Sequence, residues 1–148
     1  MKVETIIRLA EKHGFYYKTT GVWHKKNPIP RNMNLHFINS VEGWVYFTYK
    51  SKTSTFNNSN KALHDFIETG LTPASEKKHI SHPTQKPEII IKHFINVLTN
   101  KKDLVLDPFM GSGTTGKVCA DLNRKFIGIE ISENYYLNSI KRIKRIEK

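Results

Sequence analysis

The sequence predicts an α/β fold, and three observations carry that prediction. Two short apolar runs, Leu104–Leu106 and Phe126–Ile129, have the length and composition of strands. A glycine-rich turn, Asp107 to Gly116, follows the first of them. Segments with helical apolar spacing flank both. A strand, a tight glycine turn, a helix and a second strand closed by an acid, here Glu130, make the half-site that grips an adenosine-bearing cofactor.

In chain order, Ile6, Leu9 and Ala10 share a helical face, and Gly14 is placed to end that helix, which is expected over residues 3–13. Phe15 to Trp23 is expected to be a strand, broken by Asn27-Pro-Ile-Pro30, because each proline lacks a donor and pushes its predecessor into extended geometry. Trp44 to Tyr49, aromatic and β-branched, is a second strand. Residues 50–78 turn polar and are expected to form a loop or small excursion, with a weak helical patch at Ala62–Ile67. Pro87 then stands where a helix begins. Ile90, Phe94 and Val97 line one face of that helix, and Ile91, Ile95 and Leu98 broaden it, so it should be buried.

Leu104–Leu106 is suited to a strand covered on both faces, followed by a helix over residues 112–122 that Asn123 can end in left-handed geometry. Ser132 should cap the last helix, with Tyr136, Ile140 and Ile143 inward and Lys141, Arg142, Lys144 and Arg145 outward. Organisation is therefore expected as a helix plus strand pair in residues 1–49, a polar loop in 50–78 and a cofactor-binding half in 79–148.

With 148 residues, 38% of them hydrophobic, and a mean hydropathy of −0.50, the chain has room for one thin core. Lysine and arginine total 24 against 13 acids. The resulting charge of +11 and a pI near 9.8 favour a polyanionic partner, nucleic acid first, although a merely soluble basic exterior gives the same sum. One cysteine, Cys119, excludes an internal disulfide, and no Cys/His spacing matches a zinc site. With neither a signal-like segment nor a long apolar run, the expectation is a cytoplasmic protein with no membrane partner.

Gly111-Ser-Gly113-Thr-Thr-Gly116 allows three readings. It satisfies the dinucleotide fingerprint, with Glu130 at a suitable distance for a ribose hydroxyl, so a nicotinamide or flavin enzyme is a rival. It nearly satisfies the phosphate loop of nucleotide phosphatases, but Val118 stands where a magnesium-binding hydroxyl is required. The third reading is a methyltransferase binding S-adenosylmethionine. Asp107 at the strand end suits the cationic methionine amino group and would repel a pyrophosphate.

Asp107-Pro-Phe-Met-Gly-Ser-Gly-Thr-Thr115, preceded by His82-Pro-Thr-Gln-Lys-Pro87 and followed by Phe126-Ile-Gly-Ile-Glu-Ile131, resembles the C-terminal half of the permuted, β-type DNA adenine-N6/cytosine-N4 methyltransferases. Val22-Trp-His-Lys-Lys-Asn-Pro-Ile-Pro30 resembles the segment that follows their catalytic half. The resemblance implies an S-adenosylmethionine-dependent, Rossmann-like methyltransferase fold acting on double-stranded DNA, in a restriction-modification setting. It also implies that Asp107, Phe109, Gly111 and Gly113 line the methionine end of the cofactor. Thr114 and Thr115 would offer hydroxyls at the helix start and Glu130 would take the ribose. Thr84, Gln85 and Lys86 would close the other side, with Lys86 on the methionine carboxylate.

Lys25, Lys26 and Arg31, around the proline loop, are candidates for DNA phosphates, with solvated charge as the alternative. Trp23 and Trp44 could stack on a base, although strand tryptophans more often belong to a core.

Members of that family transfer the methyl group with a tetrapeptide, Asp/Asn/Ser-Pro-Pro-aromatic, which is not in this sequence. Asn27-Pro-Ile-Pro30 has Ile for the second proline and Pro for the ring. No catalytic residue is therefore assigned. The sheet is expected to be incomplete, as for a truncated or split enzyme inactive alone and completed by a second chain carrying the central strands. A non-catalytic cofactor- or DNA-binding remnant is the alternative.

Overall fold

A computed structural model describes residues 3–30, 34–77 and 83–144. Arg31, His82 and Arg145 lie outside them. The chain divides into two units, Met1–Thr69 and Gly70–Lys148.

The first unit opens with helix α1 (Val3–Lys12), which Gly14 ends with a φ of +82°. Strand β1 (Phe15–Lys25) runs antiparallel to β2 (Val41–Tyr49), and aromatic pairs such as Phe15 with Phe47 and Tyr49 fix their register. The helical patch expected at residues 62–67 does not form. Phe66–Thr69 is instead strand β3, parallel to β1, with Val22 opposite Phe66 and Trp23 opposite Ile67. The open edge of β1 decides this: Val22 N–H donates to the Asp65 carbonyl and Lys26 N–H to that of Thr69, satisfying groups a short helix would leave orphaned. Trp23 is core, and its indole N–H donates to the Thr69 hydroxyl at 2.8 Å.

The second unit starts with a single turn, α2 (Ala74–Lys77), and helix α3 (Glu88–Leu98), with Pro87 as its N-cap residue. Strands β4 (Leu104–Asp107) and β5 (Lys125–Gly128) pair in parallel, Leu106 opposite Ile127. Between them runs helix α4 (Thr114–Asp121). Asn123 ends α4 with a φ of +58°, as its short polar side chain permits. The core is Ile95 of α3 with Val118 and Cys119 of α4, packed against Val105 and Phe126 from the strands.

Both helices thus cover one face of the two-stranded sheet. The other face is open, as the expected incomplete sheet entails, although the run itself reads as a strand covered on both sides. Leu104 and Leu106 are 59% and 58% exposed, and Ile127 is exposed beside them. Among the described residues no layer of this unit covers that face, although its residues are those of a buried strand.

Helix α5 (Glu133–Lys144) follows Ser132, whose carbonyl accepts the Tyr136 N–H at 2.8 Å. Its expected polarity is wrong at two positions, Tyr136 and Arg142. Arg142 points inward and is 6% exposed, while Tyr136 is partly exposed and Ser139 is fully buried. The cause lies in the glycine turn, described next. Among the described residues no helix is long and apolar enough to cross a membrane.

Cys119 sits at the centre of this core, and burial pushes its thiol up to about 11. Reactivity requires the thiolate. Cys119 is therefore expected to resist an aromatic disulfide reagent at pH 8 and to react fully once urea unfolds the unit. Labelling at the rate of a free thiol in the native protein would contradict this packing.

Candidate functional site

The glycine turn is held at both ends by carboxylates. Asp107, the last residue of β4, accepts the Phe109 N–H at 3.0 Å on one oxygen and the Thr115 hydroxyl at 2.6 Å on the other, so it staples the turn to the first residues of α4. Glu130, beyond β5, accepts the Gly111 N–H at 2.9 Å and the Ser132 N–H at 2.9 Å, joining the turn to the start of α5. Each carboxylate oxygen retains acceptor capacity after these bonds.

Gly111 and Gly113 have φ of +49° and +70°, in the left-handed region where a Cβ is strained. At Gly113 space matters as much as conformation: a Cβ would lie 2.7 Å from that of Ser139. The missing side chain lets α5 approach, a use of glycine that the cofactor fingerprint alone does not disclose. Phe109, just before the turn, is 88% exposed and presents its ring outward.

The other predicted segment reaches the same place. The Lys86 carbonyl accepts the Thr114 hydroxyl at 3.2 Å, and Thr84 and Lys86 are exposed at the surface. Gln85 is buried. Its backbone carbonyl accepts the Thr72 hydroxyl at 2.6 Å and its amide nitrogen donates to the Glu76 carbonyl at 3.2 Å, while its Oε1 has no hydrogen-bond partner among the described residues. A buried carbonyl oxygen left so costs about 1–3 kcal/mol unless a donor arrives. Thr114 is turned into the protein, its hydroxyl engaged by Lys86, Ser112 and Arg142, rather than standing free at the helix start.

Arg142 is the residue that sequence reasoning missed. Its guanidinium donates to the Ser112 carbonyl at 3.1 Å, to the Thr114 hydroxyl at 3.0 Å and to Glu88 at 2.7 Å. Glu88 also pairs with Lys117 at 2.9 Å, and Lys117 with Asp121 at 2.8 Å. Burial works against the Lys117 charge, but hydrogen bonds to Asp121 and Glu88 outweigh it and its pKa is raised. The Glu76 carboxylate accepts the Glu88 N–H at 3.0 Å, and burial lifts it above the usual range. One guanidinium thereby ties α3, α4, α5 and the turn together. The available signal was Tyr135, Ser139 and Arg142 at helical spacing, a polar stripe beside the apolar one.

In the first unit, Lys25 is paired with Glu42 at 2.9 Å and Lys26 with Glu68 at 3.1 Å. Hydrogen bonds from His24 and Lys26 hold Glu68 below the usual carboxylate range. Both lysines proposed for phosphate thus already face carboxylates.

A parallel strand pair, an intervening helix, a left-handed glycine turn and an acid after the second strand are the arrangement on which α/β folds build nucleoside-cofactor sites. The family model for N6/N4 methyltransferases, DNA methylase, matches residues 1–141, and the chain belongs to that family. This decides among the three readings of the glycine turn. The sequence is 40% identical over 144 residues to the type II methyltransferase M2.LlaDCHI of Lactococcus lactis subsp. cremoris, covering 91% of this chain and 54% of that protein. It is 36% identical over 142 residues to the type II methyltransferase M2.DpnII of Streptococcus pneumoniae, covering 90% and 53%. The crystal structure of the M1.HpyAVI-SAM complex superposes with a TM-score of 0.81 at 36% identity, covering 95% of this chain and 69% of that one. The chain spans about half the length of the two type II methyltransferases it matches.

Proposed function

We propose that residues 1–148 are the cofactor-binding portion of an S-adenosylmethionine-dependent amino-methyltransferase of double-stranded DNA. The observation that carries this is the glycine turn itself, clamped between Asp107 and Glu130 with the Phe109 ring exposed beside it. The site suits this cofactor in its chemistry. Asp107 and Glu130 keep acceptor capacity for an ammonium and for ribose hydroxyls. The Gln85 Oε1 awaits a donor, Lys86 offers a cation for a carboxylate, and Phe109 an apolar surface for the nucleoside. Gly111, Gly113 and Thr115 shape the turn, Thr114 ties it to Lys86 and Arg142, and Thr84 closes the other side.

Bound there, S-adenosylmethionine supplies a methyl group to an exocyclic amino nitrogen of adenine or cytosine. Holding and orienting the cofactor is the task of these residues. Accepting the hydrogen bonds of the target amino group falls to the tetrapeptide Asp/Asn/Ser-Pro-Pro-aromatic, which residues 1–148 do not contain. We therefore place that tetrapeptide, with the strands that would cover Leu104, Leu106 and Ile127, outside this stretch, on the rest of a longer polypeptide or on a second chain. Alone, the 148 residues bind cofactor and are inactive, in the reducing cytoplasm that one buried free cysteine suits.

Calorimetry with S-adenosylhomocysteine and with NAD tests the cofactor. Binding of the thioether with none of the dinucleotide is expected, and the converse would move the protein to redox chemistry. Robust transfer of labelled methyl groups to unmodified DNA by the purified chain would reject its incompleteness. Should no added strand-bearing partner restore transfer to a chain that binds S-adenosylhomocysteine, the remnant reading takes over.

A further inference from the structure

The first unit contains an open hollow of about 270 Å³ that none of the roles assigned above uses, bordered by Lys18, Tyr46, Thr48, Lys52, Ser54 and Phe56. Its construction begins with a break in the strand ladder. Tyr17 pairs with Phe47 and Thr19 with Tyr46, leaving Lys18 as the extra residue of a β-bulge. Bulges re-aim a side chain, and here the Lys18 ammonium donates to the carbonyl of Lys52, on the loop that follows β2.

That loop is fastened from below. The buried Thr48 hydroxyl donates to the Ser51 carbonyl at 2.5 Å, the hydroxyls of Tyr46 and Ser54 share a hydrogen bond of 2.7 Å, and the Tyr46 and Phe56 rings stack at 6.3 Å. Two lysines, the hydroxyls of Tyr46, Thr48 and Ser54 and an aromatic wall therefore meet at one opening.

Several cations of the unit already face carboxylates. Lys25 and Lys26 face Glu42 and Glu68, and Arg8 faces Glu4. Among the described residues no carboxylate pairs with Lys18 or Lys52. Two lysines and several hydroxyls bordering one opening, with no acid among the bordering residues, favour an anion with several oxygens. The volume falls just below the roughly 300 Å³ of pockets that enclose a whole small molecule, which suits one group of a longer polymer better than a free ligand.

We infer that this hollow seats a backbone phosphate of double-stranded DNA, with Lys18 and Lys52 supplying the charge, Ser54 a hydroxyl donor, and the Tyr46–Phe56 stack an apolar rest for the adjoining sugar. The inference rests on the DNA methyltransferase reading and changes one part of it. The phosphate contact moves from Lys25 and Lys26, whose charges are already matched, to two lysines whose charges are not.

The experiment measures binding of the full chain to a labelled duplex by fluorescence anisotropy between 50 and 300 mM salt, for the wild type, for K18A/K52A and for K92A/K101A, an equal charge change elsewhere. Removing two phosphate contacts is expected to flatten the slope of log K against log salt by about 1.8. The K92A/K101A slope should stay near the wild type, and the loss should be the same for unrelated duplex sequences. A K18A/K52A slope equal to that of K92A/K101A overturns the inference, as does no measurable duplex binding by the wild type.

Competition by millimolar inorganic phosphate, abolishing the difference between variants, would assign the hollow to free phosphate and also overturn it. So would a larger variant effect on single-stranded RNA than on duplex. Calorimetry with S-adenosylhomocysteine on the same samples separates the two levels. Unchanged cofactor binding with an unchanged DNA slope removes the hollow alone, whereas absent cofactor binding removes the methyltransferase reading.

Discussion

Arg142→Met is expected to destabilise the second unit by about 3 kcal/mol, the lower end of the cost of breaking a buried ion pair. The substitution keeps the aliphatic stem but deletes the donors to Ser112, Thr114 and Glu88. Lys117 still faces Glu88, which is why the cost stays at the lower end. Urea unfolding should show a lower midpoint with an unchanged slope, the sign of lost stability rather than altered compactness. Pairing Arg142→Met with Glu88→Leu should recover part of the loss, since the second change removes the carboxylate left behind. A cost under about 1 kcal/mol would mean that the guanidinium is an ornament of a surface helix, contrary to its burial.

Gly113→Ala should cost about 2–4 kcal/mol, from a left-handed backbone that alanine resists and from a new contact with α5. The added Cβ would meet the Ser139 Cβ at 2.7 Å and its Cα at 3.2 Å, and Ser139 is fully buried. These two sources separate in a cycle. Ser139→Gly in the Gly113→Ala background should relieve the steric part and leave the conformational part, whereas in the wild-type background it should only destabilise. If Ser139→Gly rescues nothing, strain within the turn is the whole effect. Affinity for S-adenosylhomocysteine should fall with Gly113→Ala in either case, because the turn and its approach to α5 move together.

Much of the second unit was legible in the sequence for physical reasons that are local. Pro87, Asn123 and the glycines announce helix ends and turns because each residue type has few conformations to choose from. The pairs that form the site were legible individually, but their bonds to one another were not. That Asp107 would hold Thr115, and Glu130 the Gly111 amide, depends on where a turn brings a carboxylate, and residue types do not state that.

Two departures from the sequence pattern share a cause. Arg142 was assigned outward because isolated helix patterns place charge in water, and it turned inward because three acceptors converge on it from 28 to 54 residues away. Phe66 and Ile67 were assigned to a helix because their neighbours have helical spacing, and a strand edge elsewhere in the chain claimed them. In both, long-range satisfaction of polar groups outweighed a local pattern worth a fraction of a kcal/mol per residue, to order of magnitude. The β-bulge at Lys18 belongs with them, since nothing in Tyr17-Lys18-Thr19 marks a slipped register.

The bond from Arg142 to the carbonyl of Ser112 spans 30 residues of sequence. In the sequence the glycine turn precedes the helix that fastens it, so residues up to the end of β5 carry the turn without its buried anchor. The turn is therefore fastened only once Arg142 of α5 has docked against it. A segment far along the chain thus acts as the latch on a turn made of earlier residues.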